Sequence, residues 1–295
     1  MSQRSLTAES AAPFGVFLVD KPAGPTSHGV LVGIRRQVGR GVKVGHAGTL
    51  DPFATGLLIV AVGRATRLLQ FLTGHDKTYV ARVRLGATSV TGDPEGPITP
   101  TGLPLPSQQA IADAVAALPS QTEQRVPAFS AVKVDGEALY RRARRGDEVP
   151  VTTRSIAIRS ATLHATDPDG NWFDLEVTCA KGTYIRQVAV DLGEALGCGG
   201  YCETLRRTAV AGMRVDDAVS PKDVPGHGAI DIRQALEPMA AFELAADAYA
   251  AIVHGRPIVD PGVGAGPIAL IHDNQVSAIA ETDGLGHLKP RVVLV

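Results

Sequence analysis

The most informative stretch of the sequence is the loop at residues 45–56, which reads GHAGTLDPFATG. A proline disfavours the helical region for the residue before it, so Pro52 holds Asp51 in an extended conformation. The glycines permit tight turns and a close approach of a substrate. No Gly-Lys-Ser or Gly-Lys-Thr follows, which excludes a phosphate loop. One carboxylate is therefore presented at a loop tip, as a nucleophile, a metal ligand or a cap, and turn formation is the default for Asp before Pro.

The segments around this loop carry the hydrophobic periodicities of strands and helices. Ser27 is expected to cap the first helix. The pattern predicts helices at residues 27–38, 65–71, 108–118, 137–145 and 183–196. It predicts strands at residues 14–19, 57–62, 79–85, 155–165, 172–179 and 205–210. The glycine- and proline-rich segments 39–56 and 94–106 are expected to be loops.

The composition changes after Val215. Two prolines and two glycines within residues 221–228 predict a linker. Beyond it, the pattern predicts a helix near residues 246–253 and short strands at residues 268–271, 276–280 and 292–295. Short strands with glycine-rich turns indicate a small β-barrel of about sixty residues.

Length and composition exclude several classes of protein. The chain has 295 residues, of which 44% are hydrophobic and 20% are charged. It is long enough to bury a sizeable core, which rules out disorder along its whole length. The longest apolar runs fall far short of the ~20 residues that a membrane helix needs. Residues 1–13 lack the apolar core of a signal peptide and are expected to form a flexible tail, so we expect a cytoplasmic protein.

The three cysteines do not suggest a disulfide framework, because their number is odd. Cys198 and Cys202 lie four positions apart, with Cys179 upstream. A zinc site usually shows a tighter pair and a matching second pair. Small buried thiols are the better interpretation, with a metal site as the alternative.

The net charge of −1 conceals an uneven distribution. Residues 231–295 carry a net charge of −4 and the remainder +3, and residues 21–50 contain five basic residues and no acidic one. A second basic cluster lies at residues 133–145. Local basic stripes are typical of a protein that binds a polyanion on one face, although solvated surface is the alternative for each cluster.

Six blocks of the sequence resemble, in the same order, the signature of pseudouridine synthases of the TruB type, which make pseudouridine at position 55 in the T loop of tRNA. The loop around Asp51 is one block. The others are residues 20–27, 77–79 with 85–86, 127–133 with Gly136, Leu139, Tyr140 and Arg144, 181–186, and 205–208. The resemblance covers nearly the whole chain. One departure is Val90, where many relatives carry an acid, while Asp93 follows three residues later.

The resemblance implies roles for three catalytic residues. Asp51 matches the family's nucleophile, and Arg186 matches its cationic partner, whose planar fork suits a carboxylate. Tyr79 matches the active-site tyrosine, whose ring stacks on the flipped uracil and whose hydroxyl is a candidate to handle the C5 proton. Without the motifs, Arg186 would be interpreted as a surface charge and Tyr79 as a core residue.

The resemblance also implies contacts with the RNA. Tyr184 and Leu205 match residues that line the uracil pocket, and His46 matches a histidine that enters the T loop. Flipping the target base costs a few kcal/mol, and phosphate contacts can offset this cost. The candidates for these contacts are Lys21, Arg35, Arg67, Lys133, Arg141 and Arg144.

The implied fold is α+β, with a mixed, largely antiparallel central sheet flanked by helices and a small C-terminal PUA-like β-barrel that binds RNA. The corresponding domains are a catalytic domain at residues 14–225 and the barrel at residues 232–295. The implied partner is the T stem-loop of tRNA. No cofactor or metal is needed, because isomerisation neither adds nor removes an atom. We expect a monomer without a membrane contact.

Two alternatives to an RNA isomerase stay open from the sequence. A non-catalytic tRNA-binding or tRNA-folding module on the same fold would not need Asp51, Tyr79 and Arg186 together. A glycosidase-like hydrolase would need a second carboxylic acid beside Asp51, and no motif supplies one. Three further points also stay open: whether Asp51 attacks ribose C1′ or uracil C6, whether other RNAs are modified, and what the acidic C-terminal segment does.

Overall fold

The structure is a computed structural model that describes residues 14–237 and 239–294. The expected tail at residues 1–13 lies outside the described residues. The strands are β1 (Gly15–Lys21), β2 (Val44–Ala47), β3 (Thr55–Val62), β4 (Lys77–Leu85), β5 (Ala87–Ser89), β6 (Ile98–Pro100), β7 (Glu123–Arg125), β8 (Lys133–Val134), β9 (Glu137–Ala138), β10 (Thr153–Ser155), β11 (Ile158–Thr166), β12 (Trp172–Cys179), β13 (Gly200–Val210), β14 (Met213–Arg214), β15 (Ala229–Ile230), β16 (Ala240–Glu243), β17 (Ile258–Val259), β18 (Ile268–His272), β19 (Gln275–Thr282) and β20 (His287–Val293). The helices are α1 (Ser27–Val38), α2 (Leu69–Leu72), α3 (Gln108–Ala117), α4 (Leu139–Arg145), α5 (Ile185–Ala195), α6 (Ile232–Ala235) and α7 (Ala246–Val253).

The central sheet has the strand order β11-β12-β4-β13-β3-β1-β15, with β14 paired to β13 and β2 paired to β3. The pair β13–β3 is parallel, and the other pairs in this sheet are antiparallel. The predicted α+β fold with a mixed, largely antiparallel central sheet is confirmed. The parallel pair matters for function because it brings the start of β3, just after Asp51, beside β13.

The sheet is buried on one face along β4 and β12, where buried and partly exposed residues alternate. This period of two is what a strand with one covered face requires. Helices α3 and α5 cover the buried face. The apolar stripe of α5 includes Ile185, Val188 and Leu192, as the sequence predicted. This packing fixes the start of α5 next to β4 and β13.

The N-cap of α1 is not Ser27, the residue that the sequence predicted. Thr26, not Ser27, is the N-cap, and its side chain accepts the Gly29 N–H at 2.9 Å. Ser27 is buried, and its hydroxyl both accepts the N–H of Leu50 at 2.9 Å and donates to the Leu50 carbonyl at 3.0 Å. Ser27 therefore ties α1 to the residue before Asp51.

The segments at residues 39–56 and 94–106, predicted to be loops, contain short strands. Residues 44–47 form β2, which pairs with β3 in a hairpin, and β6 pairs with β5. Because these segments are rich in glycine and proline, the sequence pattern did not predict their strands of three or four residues. As a result, Asp51 lies in the turn of a hairpin whose two strands belong to the central sheet.

The predicted linker at residues 221–228 is hydrogen-bonded to the central sheet. The Leu18 N–H donates to the Gly228 carbonyl at 3.0 Å, and β15 pairs with β1. This segment satisfies the backbone groups along the outer side of β1, which would otherwise be an open edge. The connection to the C-terminal part is therefore a strand of the central sheet.

The C-terminal sheet has the order β16-β18-β19-β20-β17 and forms a curled half-barrel, which is consistent with the predicted PUA-like barrel. Its edge strands β16 and β17 do not pair with each other, so this barrel is not closed within the described residues. Side chains of β3, including Leu57 and Ile59, share a core cluster with Val276 and Ile279 of β19. The predicted domain boundaries, residues 14–225 and 232–295, stay predictions. Among the described helices, none has the length and apolar character to cross a membrane.

Candidate active site

A pocket of about 360 Å³ opens where the β2–β3 turn, β4, β13 and the start of α5 meet. Five residues selected from the sequence line it together: Asp51, Tyr79, Tyr184, Arg186 and Leu205. Pockets for small molecules typically have volumes of about 300–1,000 Å³. The pocket is therefore of a size to receive a single nucleoside.

Arg186 connects Asp51 to a second carboxylate. Its Nε lies 2.8 Å from Oδ2 of Asp51, and its Nη1 lies 3.0 Å from Oδ2 of Asp93. Nη2 donates to Oδ1 of Asp51 over 3.4 Å, whereas the N–H of Nε is not aligned with any acceptor among the described residues. The side chains of Arg186 and Asp93 are 6% and 2% exposed, but that of Asp51 is 37% exposed. Asp51 is thus the member of this network that faces the pocket.

The position of Arg186 is fixed by further hydrogen bonds. Nη1 donates to the Thr91 carbonyl at 2.8 Å, and Nη2 donates to the Phe129 carbonyl at 3.2 Å. Asp93 in turn accepts from the Thr91 hydroxyl at 2.6 Å. Sequence reasoning noted Asp93 beside the departure at Val90 but did not place it in the site. The only signal was an acid near the position where relatives carry one.

A buried lysine forms hydrogen bonds with the backbone of the turn that carries Asp51. The ammonium of Lys21 donates to the carbonyls of Pro22, Pro52 and Ala54 at 2.9, 3.0 and 2.7 Å. Lys21 is fully buried, and burial lowers its pKa from the usual value. The expectation that Lys21 contacts phosphate is therefore corrected: its charge is used inside the protein to shape the turn.

Arg207 supports the same turn and was missed from the sequence, where it stood only as part of a motif. It is fully buried and donates to the carbonyls of Leu57, Gly48 and Thr49 at 2.7, 2.9 and 3.5 Å. Gly56 permits β3 to lie close to the backbone of Arg207 on β13, because its φ is 103° and a Cβ there would lie 2.8 Å from the Arg207 backbone nitrogen. The guanidinium carbon also lies 6.0 Å from the centre of the Tyr79 ring.

Tyr79 lies on β4 and is 8% exposed. Burial raises the pKa of its phenol above the usual value, and the nearby Arg207 charge opposes this shift. Since the net direction is upward, the phenol stays protonated at neutral pH. Tyr79 therefore offers the pocket an aromatic face and a neutral hydroxyl, not a phenolate.

Tyr184 and Leu205 form the apolar part of the pocket. Tyr184 precedes α5, and Gln124 holds it from both sides: the amide oxygen accepts the Tyr184 N–H at 2.9 Å and the amide nitrogen donates to its carbonyl at 3.0 Å. Leu205 lies on β13, opposite Ala81 of β4. The central sheet fixes the position of Leu205, and the two-stranded sheet of β7 and β10, which carries Gln124, fixes that of Tyr184. The pocket is therefore preformed.

His46 is not among the residues that line the pocket. It lies on β2, five positions before Asp51, and is half-buried. Burial lowers the pKa of its imidazole, and the charge of Arg207 lowers it further. Its Nδ1 has no hydrogen-bond partner among the described residues. His46 is thus a neutral ring near the turn, with a free nitrogen.

The predicted surface cations have different surroundings. Lys133, Arg141 and Arg144 are exposed, and none forms an ion pair with a carboxylate in residues 14–237 or 239–294. Arg35 is only partly exposed, and its guanidinium donates to the Val44 carbonyl at 3.0 Å. Arg67 is exposed, but its Nη1 donates to the Val293 carbonyl at 2.9 Å, which ties it to the C-terminal sheet.

The three cysteines are buried free thiols, as predicted. Burial raises the pKa of Cys179 to about 11 and raises that of Cys202 as well. Reactive cysteines have lowered pKa values and exposed sulfurs, so these thiols are packing residues. Within the described part of the chain, no group of three or more His, Cys, Asp or Glu side chains is arranged to hold a metal ion.

Comparison with known proteins adds to this geometry. The N-terminal domain of the TruB family of pseudouridylate synthases matches residues 35–185. The C-terminal domain of tRNA pseudouridylate synthase B matches residues 186–241. Two similar proteins are tRNA pseudouridine synthase B of Arthrobacter sp. (strain FB24) and of Aromatoleum aromaticum. The first is 41% identical over 95% of this chain and 96% of its own length, and the second is 38% identical over 94% and 91%.

A solved structure shares the fold. The crystal structure of a Cbf5–Nop10–Gar1 complex contains a chain that superposes with a TM-score of 0.73 and 25% sequence identity. The match covers 96% of this chain and 86% of the other. The likeness therefore extends over both the central sheet and the C-terminal half-barrel.

Proposed function

The chain belongs to the TruB family of pseudouridylate synthases, and from that premise we propose that it isomerises uridine 55 in the T loop of tRNA to pseudouridine. The observation that carries the proposal is the position of Asp51. Its carboxylate faces a nucleoside-sized pocket, is held by the buried Arg186, and shares that pocket with Tyr79. A protein that only bound tRNA would have no use for this constellation.

Asp51 is the proposed nucleophile. In the reaction, the bond from ribose C1′ to uracil N1 breaks, a bond from C1′ to C5 forms, C5 loses a proton and N1 gains one. The carboxylate attacks the nucleotide at C1′ or C6 and leaves again when the base has turned. Arg186 supports this role because a carboxylate in a partly buried pocket needs an opposite charge within hydrogen-bond reach. Asp93 holds the far side of the guanidinium and so orients it.

Tyr79 is proposed to stack on the uracil and to handle the C5 proton. The ring faces the pocket from β4, and aromatic side chains are good stacking partners for bases. Because burial keeps the phenol protonated, it would act as a relay that accepts the C5 proton and releases its own, which supplies the proton that N1 gains. Tyr79 lines the pocket beside Asp51, which supports such a role.

Tyr184, Leu205 and His46 are proposed to hold the flipped base and the RNA loop that it leaves. Tyr184 and Leu205 exclude water from it, so that the detached uracil reattaches instead of escaping. His46, neutral and on β2, would enter the T loop and replace the stacking that the loop loses when the base leaves. Tyr184 and Leu205 line the pocket, whereas His46 lies outside its lining, on β2.

Phosphate contacts are proposed for Lys133, Arg141 and Arg144, whose charges are free in the described structure. Arg35 and Arg67 each use one donor in an internal hydrogen bond, so only their remaining donors would contact phosphate. Lys21 is not proposed for a phosphate contact, because it is buried. The half-barrel at residues 232–295 would add a limited RNA contact, since its net charge of −3 does not favour a polyanion. We further propose that the protein works as a cytoplasmic monomer without a cofactor.

The test is incubation of the protein with an unmodified tRNA transcript, followed by mapping of pseudouridine along the RNA. We expect one pseudouridine, at position 55. The matched control is a transcript in which uridine 55 is replaced by cytidine, which should yield none. Modification elsewhere with uridine 55 untouched would overturn the proposed position, and no modification of any uridine would overturn the activity.

A further inference from the structure

The wall of the pocket contains a cation that has no assigned role. Arg154 lies on β10, and its guanidinium carbon is 5.8 Å from the centre of the Tyr184 ring. The same guanidinium lies on the backbone of Gly182, where a Cβ would come within 2.6 Å of its Cζ. Gly182 and Tyr184 both line the pocket. Arg154 therefore forms the layer directly behind the pocket wall.

Arg154 belongs to a two-stranded ribbon that positions Tyr184. In the pairing of β7 with β10, Arg154 lies opposite Gln124. Gln124 holds the backbone of Tyr184 through two hydrogen bonds, while Arg154 covers its ring. The backbone is already fixed without Arg154. Support of Tyr184 thus accounts for the aromatic contact of Arg154, but not for its five N–H donors.

Those donors have no acceptor among the described residues. Arg154 forms no ion pair there, and its Nε is buried without a hydrogen-bond partner. Buried guanidinium donors are normally satisfied, because leaving one unpaired costs about 1–3 kcal/mol or more. By contrast, the neighbouring Arg186 has two carboxylates and two carbonyls around it. Arg154 is partly exposed, and its terminal nitrogens Nη1 and Nη2 are not among the buried atoms that lack a partner, so an outside ligand can reach the donors on those two nitrogens.

We propose that Arg154 binds a phosphate of the RNA strand, next to the nucleotide that occupies the pocket. This inference rests on the proposed RNA substrate. A nucleotide whose base enters the pocket keeps its own phosphates at the rim, because only one ribose separates them from the base. The planar fork of an arginine matches two phosphate oxygens. Lys181, which also lines the pocket and is exposed, provides a second cation beside Gly182.

The experiment measures RNA affinity in an Asp51→Asn background, so that no substrate turns over during the titration. The variants are Arg154→Gln, Arg154→Lys and, as a matched control, Arg159→Gln. Arg159 lies on the neighbouring strand β11, with a side chain 57% exposed. The RNA is a T-arm stem-loop in four forms: unmodified, or with a neutral methylphosphonate in place of the phosphate 5′ or 3′ of the target uridine, or in place of a stem phosphate.

On unmodified RNA we expect Arg154→Gln to weaken binding about tenfold, as loss of one charge-assisted contact does, and to reduce the slope of log affinity against log salt by about 0.7. Arg154→Lys should retain most of that slope, and Arg159→Gln should change neither quantity. On the RNA that lacks the contacted flanking phosphate, Arg154→Gln should cost less than about twofold, because the two changes remove the same contact. Neutralising the stem phosphate should leave the full cost.

Equal costs of Arg154→Gln on all four RNAs would overturn the proposal. So would an unchanged salt slope with a slower single-turnover rate when Arg154→Gln is placed in the Asp51-containing protein, since that pattern belongs to a residue that only supports the Tyr184 ring. Arg154→Lys keeps the test decisive if Arg154→Gln lowers the unfolding temperature. Because binding is measured without isomerisation, a failure of the proposed uridine 55 activity would be seen separately, in the mapping experiment.

Discussion

The wall of the pocket and the basic segment at residues 133–145 both carry several lysines and arginines, but in different surroundings. Arg207 in the wall and Lys21 behind it, under the turn that carries Asp51, are fully buried, and each donates to three backbone carbonyls. In the basic segment, Arg141 and Arg144 are exposed and have no carboxylate partner within the described residues. Tyr140 contacts Arg141 through its hydroxyl and both arginines through its ring.

The difference shows that a cation near an RNA site is not necessarily an RNA contact. Burying a charge is costly unless hydrogen bonds replace its hydration, so a buried cation is committed to the groups that hold it. An exposed cation keeps its hydration and remains available, at the price of screening by salt. We therefore expect changes in the wall to alter chemistry or stability, and changes in the basic segment to alter binding.

The largest effect is expected for Asp51→Asn. The amide keeps the size of the side chain and can still accept a hydrogen bond from Arg186, but it cannot act as a nucleophile. Single-turnover isomerisation should fall at least about a thousandfold, which corresponds to about 4 kcal/mol in the barrier. Affinity for the tRNA transcript should stay within about threefold, because the phosphate contacts lie elsewhere.

Quenched single-turnover assays and filter binding on the same protein preparation separate these two outcomes for Asp51→Asn. Turnover within about tenfold of the original protein, a barrier change of only ~1.4 kcal/mol, would exclude Asp51 as the nucleophile. If affinity fell while the rate at saturating RNA stayed unchanged, Asp51 would be a binding residue and not the nucleophile.

The next largest effect is expected for Arg207→Met, which tests the buried cations directly. The substitution retains volume but leaves the carbonyls of Gly48, Thr49 and Leu57 without their donor. We expect the free energy of unfolding to fall by about 3 kcal/mol, since each unsatisfied buried group costs about 1–3 kcal/mol. Urea denaturation measures this change. Arg214→Met, at an exposed ion pair with Asp216, should change stability by less than about 1 kcal/mol.

A loss below about 1 kcal/mol for Arg207→Met would contradict the comparison. It would mean that water replaces the guanidinium and that this buried cation does not determine the shape of the turn.

Much of this architecture follows from local sequence. The alternation along β4 predicts a strand with one buried face, and the stripe on α1 predicts its buried residues, because both patterns repeat with the period of the element. The motifs predicted that Asp51, Tyr79, Tyr184, Arg186 and Leu205 belong to one site, and the structure does bring them to one pocket. Their individual roles stay predictions.

The remaining features depend on contacts between residues far apart in the chain. Thr26 and Ser27 are both good N-caps, and Ser27 is used otherwise because Leu50 lies against it. Counting charges placed Lys21 on the RNA surface, because the sequence does not show that the carbonyls of Pro52 and Ala54 converge on it. Likewise, the pairing of Asp93 with Arg186 spans more than ninety residues.

Tyr79→Phe separates two functions within the wall of the pocket. The ring remains, so the uracil should still be held and tRNA affinity should stay near normal. The hydroxyl is lost, so single-turnover isomerisation should slow by about a hundredfold or more if it relays the C5 proton. A detached or rearranged base should accumulate on the enzyme, and mass spectrometry of the digested RNA detects it.

Tyr79→Leu is the companion to Tyr79→Phe, because it removes the stacking surface as well as the hydroxyl. It should also weaken retention of the base. If Tyr79→Phe turned over at the original rate, the proton role would be wrong and Tyr79 would be a stacking platform alone.

The smallest effect, and the sharpest test of the comparison, is expected in α4. Arg141 and Arg144 have free charges, whereas Arg142 and Arg145 on the same helix pair with Asp135, Glu137 and Asp147. Replacing Arg141 and Arg144 together by Gln should weaken tRNA binding about tenfold and lower the slope of log affinity against log salt by about 1.5, as two lost phosphate contacts imply. The isomerisation rate at saturating tRNA should not change.

Replacing Arg142 and Arg145 by Gln removes the same charge from the same helix, yet should leave the slope of log affinity against log salt nearly unchanged, because those guanidiniums are already bound to carboxylates. Filter binding at several salt concentrations measures both variants. Equal slopes for the two would mean that RNA senses the net charge of the segment, and that the distinction between free and paired cations does not decide which residues bind it.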